Sequence, residues 1–159
     1  MIAKGIIIED FVNYKVPCLT LQTPYCTFKC DKECGKQVCQ NSALATALIS
    51  HFSDDVLIKK YIENNITKAI CFQGLEPFDN FEDVYDFIFK LRKDYNNFDP
   101  VVIYTGYNKE EISSQLKQLT HFENIIVKYG RFIPDQQSHF DSVLGVNLAS
   151  DNQYAERIS

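Results

Sequence analysis

The sequence predicts a single α/β domain built on a mainly parallel sheet, either open or curled into part of a barrel. Short β-branched runs alternate along the chain with helical segments, which is the pattern of right-handed crossovers between parallel strands. Of the 159 residues, 45% are hydrophobic and 13% aromatic, which is enough to bury one core. No Pro-, Gly- or Ser-rich linker and no internal repeat divides the chain.

The individual elements follow from the local pattern of apolar residues. Strands are predicted where β-branched or alternating apolar residues cluster, at residues 5–10, 16–23, 68–72, 100–105 and 124–128. Helices are predicted where apolar residues recur at helical spacing after a capping residue, at residues 43–51, from Ser53 or Asp54 onward, at 81–95 and at 109–119. The order of these segments gives the alternation on which the fold class rests.

Charge and hydropathy argue against two classes of partner. Sixteen basic residues stand against twenty-one acidic ones, giving a net charge of -5, and no basic run is longer than a pair. This balance argues against a nucleic-acid partner. No apolar run approaches the roughly twenty residues that cross a bilayer, and no secretory signal segment opens the sequence, so we expect no membrane and a cytoplasmic location.

Four of the six cysteines lie in one polar loop at residues 25–41, namely Cys26, Cys30, Cys34 and Cys39. Thiols this close in sequence can converge on one metal or cluster with little loop-closure cost. Disulfides are disfavoured in the cytoplasm, and structural zinc more often uses paired C-x-x-C knuckles. The loop therefore predicts a metal or cluster site. The other two cysteines, Cys18 and Cys71, lie on apolar runs and are predicted to be buried in the core.

Three further segments follow predicted strands or close the chain, and each carries polar or glycine residues. Residues 73–77 contain Gly74, which permits close backbone approach to a ligand, and Glu76, which offers a carboxylate. Residues 105–107 and 150–153 have a similar character. Because reactive groups of α/β folds gather at the carboxyl ends of parallel strands, we expect these segments to surround one rim with the cysteine loop.

Together these motifs resemble one protein family. The sequence resembles the radical S-adenosylmethionine activating proteins of anaerobic (class III) ribonucleotide reductase, over nearly its whole length, through C-T-F-K-C at 26–30, Q-G-L-E-P at 73–77, Y-T-G-Y at 104–107, Y-G-R-F at 129–132 and A-S-D-N-Q at 149–153. The resemblance implies a partial (β/α) barrel of the radical SAM type. It also implies the cofactors, a 4Fe-4S cluster and S-adenosylmethionine.

The resemblance further implies an activity and partners. In that family three cysteines bind the cluster, and the fourth iron chelates the amino and carboxylate groups of S-adenosylmethionine. The reduced cluster cleaves this cofactor to a 5'-deoxyadenosyl radical, which takes a hydrogen atom from a glycine of the partner reductase. The expected partners are therefore the glycyl-radical reductase subunit and an external electron donor such as flavodoxin or ferredoxin.

The cluster ligands carry over residue by residue. Cys26 and Cys30 match the first two ligands, with Phe28 between them on the cofactor side. The family spacing C-x-x-x-C-x-x-C has no cysteine at its third position here, because Glu33 stands there. Cys34 is nearest by spacing, whereas Cys39 matches the family pattern of a cysteine, any residue and an asparagine before a helix. We favour Cys39, with residues 31–38 as an insertion, and keep Cys34 as the alternative.

The cofactor contacts carry over in the same way. Gly74 and Glu76 match the family's G-G-E-P turn, which contacts the cofactor's amino group, so we expect Glu76 to accept from that ammonium. Thr105 and Gly106 match a second contact turn. The terminal box, A-S-D-N-Q at 149–153, supplies Ser150, Asn152 and Gln153. The sequence departs from the family at several positions, with Gln73 for the first glycine, Leu75 beside Glu76, no aspartate before Gly130, and Tyr154 for an arginine.

Three other interpretations remain open at this level. The chain is compatible with a small radical S-adenosylmethionine enzyme that acts on a small molecule. It is also compatible with a non-catalytic iron-sulfur or zinc-binding protein of the same fold. The third is a family member that keeps the frame and has lost the chemistry, which the altered turns suggest.

The cysteine assignment makes a direct prediction. Replacing Cys26 or Cys30 by alanine should abolish the 4Fe-4S absorption spectrum after anaerobic reconstitution, because each removes one of three ligands. Cys18→Ala and Cys71→Ala are matched controls and should leave the spectrum and the iron content unchanged. A normal cluster in Cys26→Ala would refute the site.

Overall fold

The computed structural model describes residues 1–159 and contains ten strands and four α-helices. In chain order they are β1 (Ile2–Ala3), β2 (Gly5–Asp10), β3 (Cys18–Thr23), α1 (Lys29–Cys34), β4 (Ser50–His51), α2 (Asp54–Glu63), β5 (Ala69–Gly74), α3 (Phe81–Lys93), β6 (Val101–Tyr104), α4 (Ser113–Leu119), β7 (Ile125–Tyr129), β8 (His139–Asp141), β9 (Val146–Leu148) and β10 (Tyr154–Arg157). Three 3₁₀ helices lie at Ser42–Thr46, Pro77–Asn80 and Lys109–Ile112.

Six of the strands form one mixed sheet in the order β10-β7-β6-β5-β3-β2. The four central strands β3, β5, β6 and β7 are parallel to one another. The edge strands β2 and β10 run antiparallel to their neighbours. The predicted α/β class with a mainly parallel sheet is confirmed, and the strands form an open row from β10 to β2.

One face of this sheet, the helix face, packs against α2, α3 and α4. Phe72 of β5 and Phe87 of α3 meet edge to face with ring centroids 5.5 Å apart. Both belong to a cluster of 21 buried residues that joins alternate strand positions to the apolar sides of the three helices. The alternation of side chains along a strand puts the remaining strand residues on the opposite face.

The opposite face, the hairpin face, is covered by irregular chain and by the β8–β9 hairpin. Its buried cluster contains Cys18, Cys71, Val102 and Ile126 from the sheet, packed under Tyr14, Leu144 and Leu148. Cys18 and Cys71 are free, buried thiols, which confirms their prediction as core residues. The hairpin face is thus filled by the chain's own side chains over the middle of the sheet.

The helices are short relative to a bilayer. The longest, α3, has 13 residues and buries Val84, Phe87, Ile88 and Leu91 on one side. This amphipathic pattern is that of a helix packed on a core. None of the helices has the length and apolar character needed to span a membrane.

The helix predicted at residues 43–51 is wrong. The segment forms the 3₁₀ helix Ser42–Thr46 and the short strand β4, which pairs with β1. No residue of the 3₁₀ helix is buried, and Leu48 is 87% exposed. Because most helical stability in proteins comes from packing an apolar face, a segment without a buried face does not extend into an α-helix.

Other predicted boundaries shift by local causes. The strand predicted from residue 16 begins at Cys18, after Pro17, which has no N–H for the ladder. The helix predicted at 109–119 is divided into a 3₁₀ turn and α4. Helix α1 inside the cysteine loop, the β8–β9 hairpin and the edge strand β10 were not predicted. The other predicted strands and helices are confirmed within a few residues.

Candidate metal centre

A cavity of about 310 Å³ opens at the carboxyl ends of the parallel strands. Its wall brings together three thiols of the cysteine loop, those of Cys26, Cys30 and Cys39, while Cys34 does not line it. Residues from the turns after β5, β6 and β7 and from the end of the chain complete the wall. The expected common rim therefore exists, and of the two alternative third cysteines the geometry favours Cys39.

The first two cysteines are oriented by a tight turn at the start of α1. Phe28 immediately precedes this helix and has φ 52°, in the left-handed region that few residues with a side chain adopt. Its N–H donates to Cys26 Sγ at 3.1 Å. Phe28 does not line the cavity, so the structure places it as the turn residue that directs Cys26 and Cys30 to one side. Its contact with a cofactor stays a prediction.

The third cysteine is returned to the cavity by Asp31. Helix α1 ends at Cys34 and is capped by Gly35, and the chain then turns back so that the N–H groups of Val38 and Cys39 both donate to Asp31 Oδ1 at 2.8 Å. Farther along, Asn41 Nδ2 donates to Gly74 O at 2.8 Å, which ties the loop's exit to the end of β5. The predicted insertion at 31–38 is therefore a closed loop held by one carboxylate.

The chemistry of the three thiols fits a cluster. All are free, and burial raises the pKa of Cys26 to about 12 and also raises the pKa of Cys30 and Cys39. Binding iron therefore has to displace their protons. No three His, Cys, Asp or Glu side chains are placed to hold a single metal ion. A 4Fe-4S cluster bonds each cysteine to a different iron, and three free cysteines on one cavity wall fit such a cluster.

Glu76 connects the turns after β5 and β6. Its side chain is 4% exposed and accepts hydrogen bonds from Phe78 N at 3.1 Å, Thr105 Oγ1 at 2.7 Å and Gly106 N at 2.9 Å. Burial raises its pKa to about 7 although these bonds act in the opposite direction. A Cβ added at Gly106 would lie 3.5 Å from Cys30 Sγ, so this turn lies directly against the Cys30 thiol. The predicted residues Glu76, Thr105 and Gly106 all line the cavity.

Two glycines permit the backbone to pass at close range. Gly74 has φ 104°, and a Cβ there would lie 3.0 Å from the backbone of β3. Gly130, after β7, has φ 94° and faces the carbonyl oxygen of Asn152, which a Cβ would approach to 2.9 Å. Both glycines line the cavity and both turns require glycine for steric reasons.

The terminal box supports the turn after β7. Gln153 Oε1 accepts from the N–H groups of Ala149 and Ser150, and its Nε2 donates to Gly130 O at 3.2 Å. Asn152 Nδ2 donates to the carbonyl of Arg131 at 2.9 Å. Of the three predicted residues in the box only Gln153 lines the cavity. Ser150 and Asn152 lie behind it, and their contact with a cofactor stays a prediction.

Charged side chains that the sequence reasoning missed hold the cysteine loop in place. Arg131 makes a bidentate pair with Glu111, both N–O distances being 2.7 Å. Arg131 lowers the pKa of Glu111 to about 2. Lys29, beside Cys30, also reaches Glu111 at 3.1 Å. Arg131 lies in the quoted Y-G-R-F motif, but nothing in the local sequence marks Glu111 as its partner.

Asp79 and Asn80 form a second clamp on the same loop. Asp79 Oδ2 accepts from Thr27 N at 2.7 Å, and its Oδ1 accepts from the hydroxyl of Tyr107 at 2.6 Å. Asn80 Nδ2 donates to the carbonyl oxygens of Tyr25 and Glu76. The polar pair Asp79-Asn80, one residue beyond Q-G-L-E-P, was the signal that could have identified this clamp.

The third ligand can be tested directly. Because Cys39 lines the cavity and Cys34 does not, Cys39→Ala should lose the reconstituted cluster, and Cys34→Ala should retain most of it. Iron and sulfide analysis with the absorption spectrum makes the measurement. A retained cluster in Cys39→Ala together with its loss in Cys34→Ala would move the ligand to Cys34.

The role of Asp31 gives a separate prediction. Asp31→Ala removes two hydrogen bonds to backbone N–H groups, each worth about 1–3 kcal/mol, and should accelerate cluster loss to a chelator. Asp31→Asn is the matched control, because its side-chain oxygen still accepts, and its cluster should survive longer than that of Asp31→Ala. Equal half-lives for wild type and Asp31→Ala would show that Cys39 does not need this anchor.

Comparison with known proteins supplies the family. A family model described as a 4Fe-4S single cluster domain matches residues 17–154, which spans the cysteine loop, the parallel strands and the terminal box. No curated protein and no solved structure matches the chain. The match covers most of the sequence and agrees with three cysteine thiols on one cavity wall. The chain therefore belongs to the family of 4Fe-4S single cluster domains and is an iron-sulfur protein.

Proposed function

We propose that this iron-sulfur protein is a radical S-adenosylmethionine enzyme that generates a glycyl radical on a partner anaerobic ribonucleotide reductase. The observation that carries the proposal is one cavity whose wall contains Cys26, Cys30 and Cys39 beside the Glu76 and Gly106 turns. These are the groups that the family resemblance assigns to the cluster and to S-adenosylmethionine. The partial (β/α) barrel of the radical SAM type belongs to the same proposal.

The cofactors supply the radical chemistry, and the protein supplies their placement. When bound, the cluster and S-adenosylmethionine would supply the one-electron radical chemistry that removes a hydrogen atom from the glycine. Cys26, Cys30 and Cys39 would hold the cluster, and with three cysteines one iron would stay open for the cofactor. Glu76 has one acceptor site left after its three hydrogen bonds, and this site suits the cofactor's ammonium.

The size of the cavity supports a hydrogen donor that comes from outside. Its volume of about 310 Å³ stands at the low end of the roughly 300–1,000 Å³ that ligand pockets occupy. The cluster and one cofactor would take up that space. This favours a protein partner over the alternative of a second small molecule enclosed with the cofactor.

The rim of the cavity supports a protein partner as well. Val12 lines the cavity and is 74% exposed, and its neighbour Phe11 is 65% exposed. Phe140 is 64% exposed and lies directly opposite Asn147 in the β8–β9 hairpin, and Asn147 also lines the cavity. Exposed apolar groups beside a site are typical of interaction surfaces. An external electron donor such as flavodoxin or ferredoxin, and a cytoplasmic location, complete the proposal.

The decisive experiment combines the reconstituted protein with the reductase encoded by the same genome. Under anaerobic reduction the protein alone should cleave S-adenosylmethionine slowly, because water and reductant still reach an open site. The mixture should develop a glycyl radical signal in electron paramagnetic resonance, since the partner closes the site and presents its glycine. The signal should be absent when the reductase glycine is replaced by alanine.

The outcomes separate the alternatives. Phe140→Ser should lower the radical yield with the reductase while leaving the slow cleavage by the protein alone unchanged. Cofactor cleavage without any glycyl signal would favour a small-molecule enzyme. A stable cluster that neither binds nor cleaves S-adenosylmethionine would favour the non-catalytic iron-sulfur protein, and stoichiometric zinc in place of iron would favour the zinc-binding alternative.

A further inference from the structure

Lys128 occupies a core position at the carboxyl end of β7. Along this strand Val127 and Tyr129 point to the helix face, whereas Ile126 belongs to the buried cluster of the hairpin face. The alternation therefore puts Lys128 on the hairpin face, one step beyond Ile126. It is 7% exposed and lines the cavity that holds the three cysteines. A lysine thus replaces the apolar residue that the strand pattern would place there.

The ammonium of Lys128 has little compensation within the protein. Its Nζ donates one hydrogen bond, to Gly130 O at 2.9 Å, and no carboxylate lies within ion-pair distance of it. An ammonium has three N–H donors, so two donors of Lys128 have no hydrogen-bond partner in the protein. Burial lowers the pKa of Lys128 to about 8. Buried charges in proteins are normally paired, and an unpaired one points to a ligand of opposite charge.

A buried carboxylate lines the same cavity. Glu76 lies at the end of β5, Lys128 at the end of β7, and strand β6 separates them. The charges of Glu76 and Lys128 attract each other across β6, and Glu76 is therefore the group that raises the pKa of Lys128 most. The two side chains form no direct ion pair. A cavity with a buried anion and a buried cation held apart is complementary to a zwitterion. The α-amino acid group is the zwitterion that the proposed cofactor carries.

We propose that Lys128 binds the carboxylate of the amino-acid part of S-adenosylmethionine, opposite the Glu76 site for its ammonium. This inference rests on the proposed function, since it takes S-adenosylmethionine as the occupant of the cavity. Tyr104 is the register partner of Lys128 on β6 and lines the cavity beside it. Gln153 donates to the same carbonyl oxygen as Lys128 and so fixes the acceptor that orients the ammonium.

Two other roles for Lys128 make different predictions. A purely structural cap on Gly130 would make Lys128→Met less stable and would weaken every ligand equally. Alternatively, Lys128 could compensate the negative charge of the cluster, since Cys30 is close to it. In that case Lys128→Met would change the cluster and its reduction potential but not the preference among ligands. Recognition of a carboxylate instead changes only the affinity for ligands that carry one.

The test compares two ligands on two proteins. S-adenosylmethionine and its decarboxylated analogue, S-adenosylmethioninamine, are titrated by calorimetry into anaerobically reconstituted, oxidised wild type and Lys128→Met. We expect Lys128→Met to bind S-adenosylmethionine about 10- to 100-fold more weakly, the range expected for one charge-assisted hydrogen bond. Its affinity for the analogue should stay within about twofold, a change too small for a lost charged contact. Lys128→Arg should recover part of the loss.

Controls keep the outcomes distinct. Lys117→Met removes an exposed lysine on α4 and should match wild type with both ligands. The iron content of Lys128→Met should equal that of wild type, and its thermal midpoint should be at least as high, because burying a methyl group costs less than burying an unpaired charge. Unchanged affinity for S-adenosylmethionine, or equal losses for both ligands, would overturn the role of Lys128 while the proposed function stands. Cluster-loaded wild type that binds neither ligand would overturn both.

Discussion

The buried carboxylate of Glu76 is the interaction on which the geometry of the site depends. A carboxylate that is 4% exposed is costly unless donors surround it, and here it accepts from Phe78, Thr105 and Gly106. These bonds bind the end of β5 to the end of β6. Gly106 in turn lies against the Cys30 thiol, so Glu76 holds the turn that packs on this cysteine. The departures from the family turn at residues 73 and 75 leave Glu76 itself in place.

The cysteine loop is held at several points because it is long and polar. Closing a loop with an insertion at residues 31–38 adds only about 0.6 kcal/mol per doubling of length, so the insertion itself is tolerable. The chain after α1 must still turn back toward the cavity. Asp31 holds this turn by accepting hydrogen bonds from the N–H groups of Val38 and Cys39. The Lys29–Glu111 and Thr27–Asp79 hydrogen bonds hold the other end of the loop. Each anchor belongs to a different segment of the chain.

The parts of this structure that the sequence predicts are those with strong local patterns. Strand β5 and helix α3 have continuous apolar runs or clear helical spacing, and both form close to the expected bounds. Residues 43–51 have favourable helix composition but no partner surface, which no local pattern reveals. The Arg131–Glu111 pair spans 20 residues and is a consequence of the fold. Around Lys128 the sequence showed only that the family's aspartate before Gly130 is absent. The burial of Lys128 follows from the register of the sheet, which the local sequence does not reveal.

The filling of the hairpin face explains why the proposed chemistry has to face outward. On this face Tyr14, Leu144 and Leu148 cover the buried strand residues with their side chains. Tyr104 donates its hydroxyl to Asn13 O at 2.6 Å, which holds the segment before Tyr14 over the sheet. Val12 and the hairpin residue Asn147 both line the cavity, so the proposed radical would be open to a partner on this side. A flexible glycine-bearing segment of a protein can enter there, since glycine needs the least space of any residue.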